Sequence, residues 1–446
     1  MASAGGVGGS SYFELRNIQN ILGEQGAKFI ELVSCVARKK NLALYLAGGV
    51  ARDLLLRRRT LDFDFVVEGN AISFARSLAK SFGGAVEIHE PFGTAKWILD
   101  ESVAHSLSLV LEALPASVDF VTARRETYAH PAALPAVTPS DIESDLRRRD
   151  FSVNALAIQI SPFARSGRLF DVCGGKEDLE RRLIRAIHEQ SFVDDPTRIL
   201  RALRYAERLG FNLESNTAKW MQAALPHLGR MTGQRLKNEI DLILREPRAG
   251  AILLRLQELG ALANIHPAFR ISPRLPDLIA RCNNLEPPWP SSTVGGQALR
   301  WMMLMSGIDS AEALALCERL ALTNRLKEAI TASARLCEQF LLLDEPAIRP
   351  SRVAKILDAF PESALQAGWL LAAEKPAAQT MIAKYASDWR QRRPTISGDD
   401  LKATGLAPGP RYRQLLDRLR FAWIDGEVSS AQEEAALLRQ LLDEGD

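Results

Sequence analysis

The chain has 446 residues, too many for one ordinary core and enough for about two to four domains. Hydrophobic content of 47%, charged content of 25% and a formal net charge of +2 describe a soluble globular protein that does not advertise a polyanionic partner. No run of about eighteen apolar residues occurs, which excludes a transmembrane helix in this reading.

The opening MASAGGVGGSS lacks the basic end and apolar centre of a signal peptide and reads as a disordered tail over residues 1–11. Five widely spaced cysteines, odd in number and without a CxxC pair, read as reduced thiols of a cytoplasmic protein. Arginine triplets occur at Arg57–Arg59 and Arg147–Arg149. Each reads either as a solvated face or as an anion contact.

In chain order, residues from about 12 to 40 carry apolar positions such as Ile18, Ile21 and Leu22 near helical spacing. ALYLA (Ala43–Ala47) is a short strand, and GGVARDLLLRRR turns into a helix. DFDFVV is the next strand, and AISFARSLAKSF is a helix closed by Gly83 and Gly84. AVEIHE, AKWILD and SVDFVTA continue the strands. The alternation stops near Ile160, and helices dominate from there to the C-terminus, broken by NNLEPPWPSSTVGG and ISGDDLKATGLAPGPRY.

DFDF asks why a strand keeps two aspartates. Residues i and i+2 share a strand face, so Asp62 and Asp64 point together while Phe63 and Phe65 point into the other layer. Two readings stand: solvent-facing aspartates, or carboxylates brought together by hard divalent cations such as Mg²⁺. Upstream, Gly48 and Gly49 sit between strand and helix, where backbone N–H groups can turn to an anion, and Arg52 follows one turn later. DDPTRILRALRYAERLGF reads as a helix with Pro196 at its first position and Asp195 as N-cap. Arg198, Arg201 and Arg204 recur on it at spacing three. They form either a basic solvent face or a base-reading face. An aspartate accepts from an exocyclic amine and an arginine donates to a ring nitrogen, the pattern that cytosine and adenine share.

Together, GGVARD with DFDF, RRDFSVNALA, FDVCGGKEDL and DDPTRILRALRYAERLGF closely resemble the class II tRNA nucleotidyltransferases and the related bacterial poly(A) polymerases, of the DNA polymerase beta-like superfamily. The motifs cover about residues 40–260 in the family's order, and ISGDDLKATGLAPGPRY is similar to the tail of many bacterial members. The resemblance implies an α+β fold, with a mixed-sheet catalytic head over 12–160, a helical neck over 161–270, and a helical, tRNA-binding body and tail over 271–446. It implies Asp62 and Asp64 as catalytic Mg²⁺ ligands and Asp119 as a third acidic residue, weighed against a polar strand face. It implies nucleotide contacts from Gly48, Gly49, Arg52, Arg149, Asp150, Asn154, Asp195, Arg198, Arg201 and Arg204. One departure is Asp194, where many relatives carry glutamate.

The loop RRETYAHPAALPAVTPSDIESD, with Glu126 and Tyr128, resembles the full version of CCA-adding and A-adding members rather than the shortened one of CC-adding members. The implied reaction is addition of C and A from CTP and ATP to the tRNA 3′ end. Addition of A alone and poly(A) synthesis are the alternatives within the family, and a non-catalytic RNA-binding paralogue is the alternative outside it.

Overall fold

The computed structural model describes residues 12–14, 16–127, 130, 135–162, 166–283, 296–345 and 347–443. The tail expected over 1–11 and Tyr128 lie outside the described residues. The chain divides into two compact units, Met1–Met231 and Thr232–Asp446.

The first unit opens with α1 (Arg16–Lys39), β1 (Ala43–Ala47), α2 (Gly49–Leu55), β2 (Asp64–Glu68) and α3 (Ala71–Phe82). β3 (Ala85–His89), β4 (Thr94–Ile98), α4 (Glu101–Leu107), β5 (Ser117–Thr122) and the hairpin β6 (Arg124–Thr127) and β7 (Ala136–Pro139) follow. Then come α5 (Ile142–Arg147), β8 (Leu156–Ser161), β9 (Leu169–Asp171), α6 (Gly175–Glu180), α7 (Ser191–Asp194) and α8 (Thr197–Leu209). Seven strands form one mixed sheet in the order β3-β4-β5-β2-β1-β8-β9. In it β2 and β5 run parallel and the other neighbours antiparallel. The head is therefore the mixed sheet with helices that the motifs imply. The alternation runs past Ile160, however: β9 adds an edge strand from Leu169, and Leu183–Ile184 pairs with Asn212–Leu213. Three- and two-residue strands are too short for a period of two to be seen in sequence.

Alternation along β2 sorts its two faces. Phe63 and Phe65 enter a fully buried aromatic layer. Phe29 of α1 stacks on Phe63 and Trp97 at 5.9 and 6.1 Å, and Phe120 meets Phe65 and Phe74 at 5.2 and 5.3 Å. Offset and edge contacts of this kind add to the burial of large apolar area. On the other face Val66, Tyr45, Ala47 and Ala157 pack with Ile142 and Leu146 of α5. Asp64 belongs to that second face, so the packing of α5 decides what stands next to it.

The second unit is helical. One core gathers Leu336, Phe340, Val353, Leu365, Ile382, Tyr385 and Trp389, and another Leu401, Leu415, Leu419 and Leu438. ISGDD begins a helix, Gly398–Ala403, through a reciprocal capping box of Ser397 and Asp400. No helix among the described residues is long and apolar enough to cross a membrane.

Candidate active site

The carboxylates meet at the entry of β2. The strand begins at Asp64; Asp62 precedes it, exposed, with its N–H donated to Thr60 Oγ1 at 3.2 Å. Parallel pairing sets Asp64 beside Asp119 in register, and antiparallel pairing sets Asp119 beside Lys96. Lys96 Nζ lies 3.4 Å from Asp119 Oδ2. Burial, followed by the charge of Asp62, pushes the Asp64 carboxyl up to about 7; Asp119 adds to the rise, while Arg149 and Lys96 oppose it. The structure thus brings all three aspartates together.

The glycine pair does a second job besides turning the chain. Gly48 has φ 76, a left-handed conformation that favours glycine. A Cβ there would sit 2.4 Å from Arg149 Nη1. Arg149 is held against this turn by its bonds to Asp145 Oδ2 at 3.0 Å and to the Asn154 carbonyl at 3.3 Å. Asp145 has no exposed surface and also accepts from Arg148 at 2.6 Å. Burial alone would raise its pKa, but the Arg149 and Arg148 guanidiniums outweigh that and hold it below the usual carboxylate range. Arg148 continues to Glu126 Oε1 at 2.9 Å, where Arg124 also donates at 2.9 Å. Glu126 ties the β6–β7 hairpin to α5 in this way.

A second buried network lies beyond Gly49. Arg52 is 3% exposed and donates to Asp53 at 2.9 and 3.1 Å and to Asn154 Oδ1 at 2.7 Å. Asn154 donates to Asp150 Oδ1 at 3.1 Å, and Arg201 closes on Asp150 Oδ2 at 2.5 and 2.9 Å. Burial pushes the Asp150 carboxyl up, but the charges of Arg201 and Arg198 and the bonds from Asn154 and Arg201 bring it down to about 2. Tyr205 is flanked by the guanidiniums of Arg204, Arg201 and Arg52 at 4.8, 5.5 and 5.7 Å from its ring centre.

The arginine face of α8 is not a solvent face: Arg198 and Arg204 are 6% and 5% exposed. Arg198 donates to Ser191 Oγ at 2.6 Å and to the Arg148 carbonyl at 2.9 Å. The helix begins at Thr197, with Pro196 in helical φ/ψ just before it. Asp195 is extended, and its Oδ1 accepts from Thr197 N at 3.1 Å, the contact expected of a cap one residue earlier than Pro196.

Three partners escaped the sequence reading. Asp145 stands three and four residues before Arg148 and Arg149, a helical spacing that signals paired side chains. Tyr205 stands four residues after Arg201 on one helix face. Lys96 carried no such signal, because its role depends on β4 pairing with β5.

Asp62, Asp64 and Asp119 supply oxygen donors only, which suits a hard divalent cation. Among the described residues no group of three or more His, Cys, Asp and Glu side chains is disposed to hold an ion alone. Phosphate and water oxygens would complete the shell around Asp62 and Asp64.

Residues 44–185 match the Poly A polymerase head domain family. Residues 210–271 match the family described as probable RNA and SrmB-binding site of polymerase A. The chain is 30% identical over 424 residues to the A-adding tRNA nucleotidyltransferase of Halalkalibacterium halodurans, covering 91% of this chain and 90% of that one. It is 31% identical over 401 residues to the CC-adding tRNA nucleotidyltransferase of Deinococcus radiodurans, with 90% and 89% covered. An A-adding tRNA nucleotidyltransferase of Geobacter sulfurreducens is 32% identical over 422 residues, and the chain spans 46% of its length. The solved structure of a CCA-adding enzyme in apo form II superposes with a TM-score of 0.79 at 26% identity, covering 97% of this chain and all of that one. The chain belongs to the tRNA nucleotidyltransferase family.

The raised pKa of Asp64 has a direction that can be measured. Between the unfolded value of 3.8 and the folded value of about 7, the folded protein keeps a proton that the unfolded chain loses. Stability therefore falls as pH rises through that window, by at most about 4 kcal/mol and by less where water screens the carboxylate. In metal-free buffer, Asp64→Asn should raise the melting temperature at pH 8 and change it little at pH 4.5. Thermal scans at both pH values check this, and equal shifts at both would refute it.

Proposed function

We propose that the protein transfers nucleotides from nucleoside triphosphates to the 3′-hydroxyl of tRNA without a nucleic-acid template, releasing pyrophosphate, and that addition of the terminal A is its minimal reaction. The observation that carries the reading is the convergence of Asp62, Asp64 and Asp119 in a chain of this family. Two A-adding relatives at 30% and 32% identity support the choice of A. Addition of the two C residues as well is the second reading, favoured by the CCA-adding structure that overlays 97% of the chain. A tRNA-processing role also suits a cytoplasmic protein.

In this reading Asp62 and Asp64 hold Mg²⁺. When bound, the ion supplies Lewis-acid stabilisation of the attacking hydroxyl and of the phosphate charge. Arg149, fixed by Asp145 against Gly48, puts positive charge beside Asp64, where the triphosphate must lie. Arg52, Asn154, Asp150 and Arg201 form the wall that keeps α8 in place. Asp195 and Arg198 read the base edge: the aspartate accepts from the amine of adenine or cytosine and the arginine donates to the ring nitrogen. Guanine and uracil present the reverse pattern and leave buried groups unpaired. The contacts of Arg198 to Ser191 and Arg148 occupy two of its three nitrogens and aim the guanidinium.

The test supplies tRNA ending before CCA, after C or after CC, with each triphosphate and Mg²⁺ separately. Extension of tRNA-CC by ATP alone supports A addition, and extension of the two shorter ends by CTP extends the activity to CCA. No extension of any end overturns the proposal.

Arg198→Ala should weaken discrimination against UTP and GTP by roughly ten- to a hundredfold, the worth of a lost hydrogen bond to a charged partner. Asp195→Asn should relax selectivity while leaving the melting temperature nearly unchanged, because asparagine caps a helix about as well as aspartate. Single-nucleotide incorporation on both variants checks this; unchanged preference in Arg198→Ala removes α8 from base selection.

A further inference from the structure

The two arginine triplets have different fates. Arg148 and Arg149 of the second are tied to Asp145 and Glu126. The first, Arg57–Arg59, is exposed at all three positions. Among the described residues, no hydrogen bond or ion pair engages these three side chains. The acid that precedes them, Asp53, is already held by Arg52 at 2.9 Å.

Three adjacent like charges repel one another, and a folded chain gains nothing from leaving them unpaired. A helix C-terminus is favoured by a cation, and the run follows α2 directly, but that accounts for one arginine rather than three. The backbone adds to the cost. Arg57 has φ 54, a left-handed conformation that side-chain-bearing residues avoid. Backbone bonds from Arg57 N to the Leu54 carbonyl at 3.1 Å and from Arg58 N to the Asp53 carbonyl at 2.8 Å fix that turn, so the triplet leaves the helix end in a set direction.

Its position is informative. At about 3.6 Å per residue, Arg59 lies within about 11 Å of Asp62 along the chain and Arg57 within about 18 Å. An RNA whose 3′-hydroxyl reaches Asp62 and Asp64 brings its last few phosphates into that range. We propose that Arg57, Arg58 and Arg59 form a docking strip for the phosphates next to the 3′ end of the RNA substrate. This rests on the reading of the protein as a tRNA nucleotidyltransferase and names a surface for it. The guanidinium fork suits phosphate oxygens, and an exposed strip reads backbone rather than base.

The experiment compares the wild-type protein with the triple variant Arg57→Gln, Arg58→Gln, Arg59→Gln and the triple variant to lysine. The probe is a labelled tRNA transcript ending in CC, titrated at several salt concentrations and then extended with ATP. Each phosphate contact adds roughly 0.7–0.9 to the slope of log K against log salt, so the glutamine triple should lower the slope's magnitude by about 2 to 3. Its KM for tRNA should rise by roughly tenfold or more at moderate salt while the KM for ATP stays within about twofold. The lysine triple should recover most of the slope, because the charge is kept. Thermal scans of both variants should match or exceed the wild type. An unchanged slope in the glutamine triple, with wild-type extension normal, overturns the docking strip and leaves the activity standing. A wild-type protein that neither binds nor extends the transcript overturns both. Loss of binding to phosphatidylserine vesicles in the glutamine triple, with tRNA binding unaltered, assigns the strip to a lipid surface and also overturns the proposal.

Discussion

The buried carboxylate of Asp150 is the interaction on which the site depends. It links three elements: the turn before β8, which carries Asn154; the glycine-led helix α2, which carries Arg52; and α8, which carries Arg201. An ionised group that deep is costly unless paired and hydrogen-bonded. Here one oxygen takes the Phe151 N–H at 2.8 Å and the Asn154 amide, and the other takes the Arg201 guanidinium. With these partners the carboxyl is an acid of about 2. Without either side the charge would be stranded, so the network fixes α8 relative to the sheet.

The same residue type is used in the opposite sense at the start of β2. Asp145 and Asp150 are surrounded by arginine and stay charged. Asp64 is pushed up to about 7, first by burial and then by the Asp62 and Asp119 carboxylates, which outweigh Arg149 and Lys96. The first arrangement satisfies itself within the protein and serves as framework. The second leaves like charges facing each other, a state that a proton or an added cation relieves. Framework and reactive centre are thus separated by the sign of their neighbours. Arg149 touches both: it pairs with Asp145 and its charge reaches Asp64. Gly48 is needed for that contact, since any Cβ would displace the guanidinium.

Much of this was legible in the sequence. Alternation around Phe63 and Phe65 placed Asp62 and Asp64 away from the aromatic layer, and the spacing of Arg198, Arg201 and Arg204 put them on one helix face. Sequence could not tell whether that face met water, because its partners lie some fifty residues away in the chain: Asp150 for Arg201 and the Arg148 carbonyl for Arg198. The two arginine triplets differ in their neighbours: Asp145 precedes Arg148 and Arg149 by three and four residues and pairs with both, whereas Arg57, Arg58 and Arg59 stay exposed. Lys96 was invisible, since its partner is set by strand register. β9 carries no signal in the sequence, because three residues show no period.

A double-mutant cycle on Asp150 and Arg201, read out as kcat/KM for ATP in single-nucleotide addition to tRNA, tests the hub role most directly. Asp150→Ala and Arg201→Ala should each lower kcat/KM, and the double variant should lose little more than either alone. The coupling should be about 1–3 kcal/mol, as for residues that act through one bond. Losses that simply add would mean that Asp150 and Arg201 serve the site separately, and would contradict the carboxylate as the piece that holds α8 to the sheet.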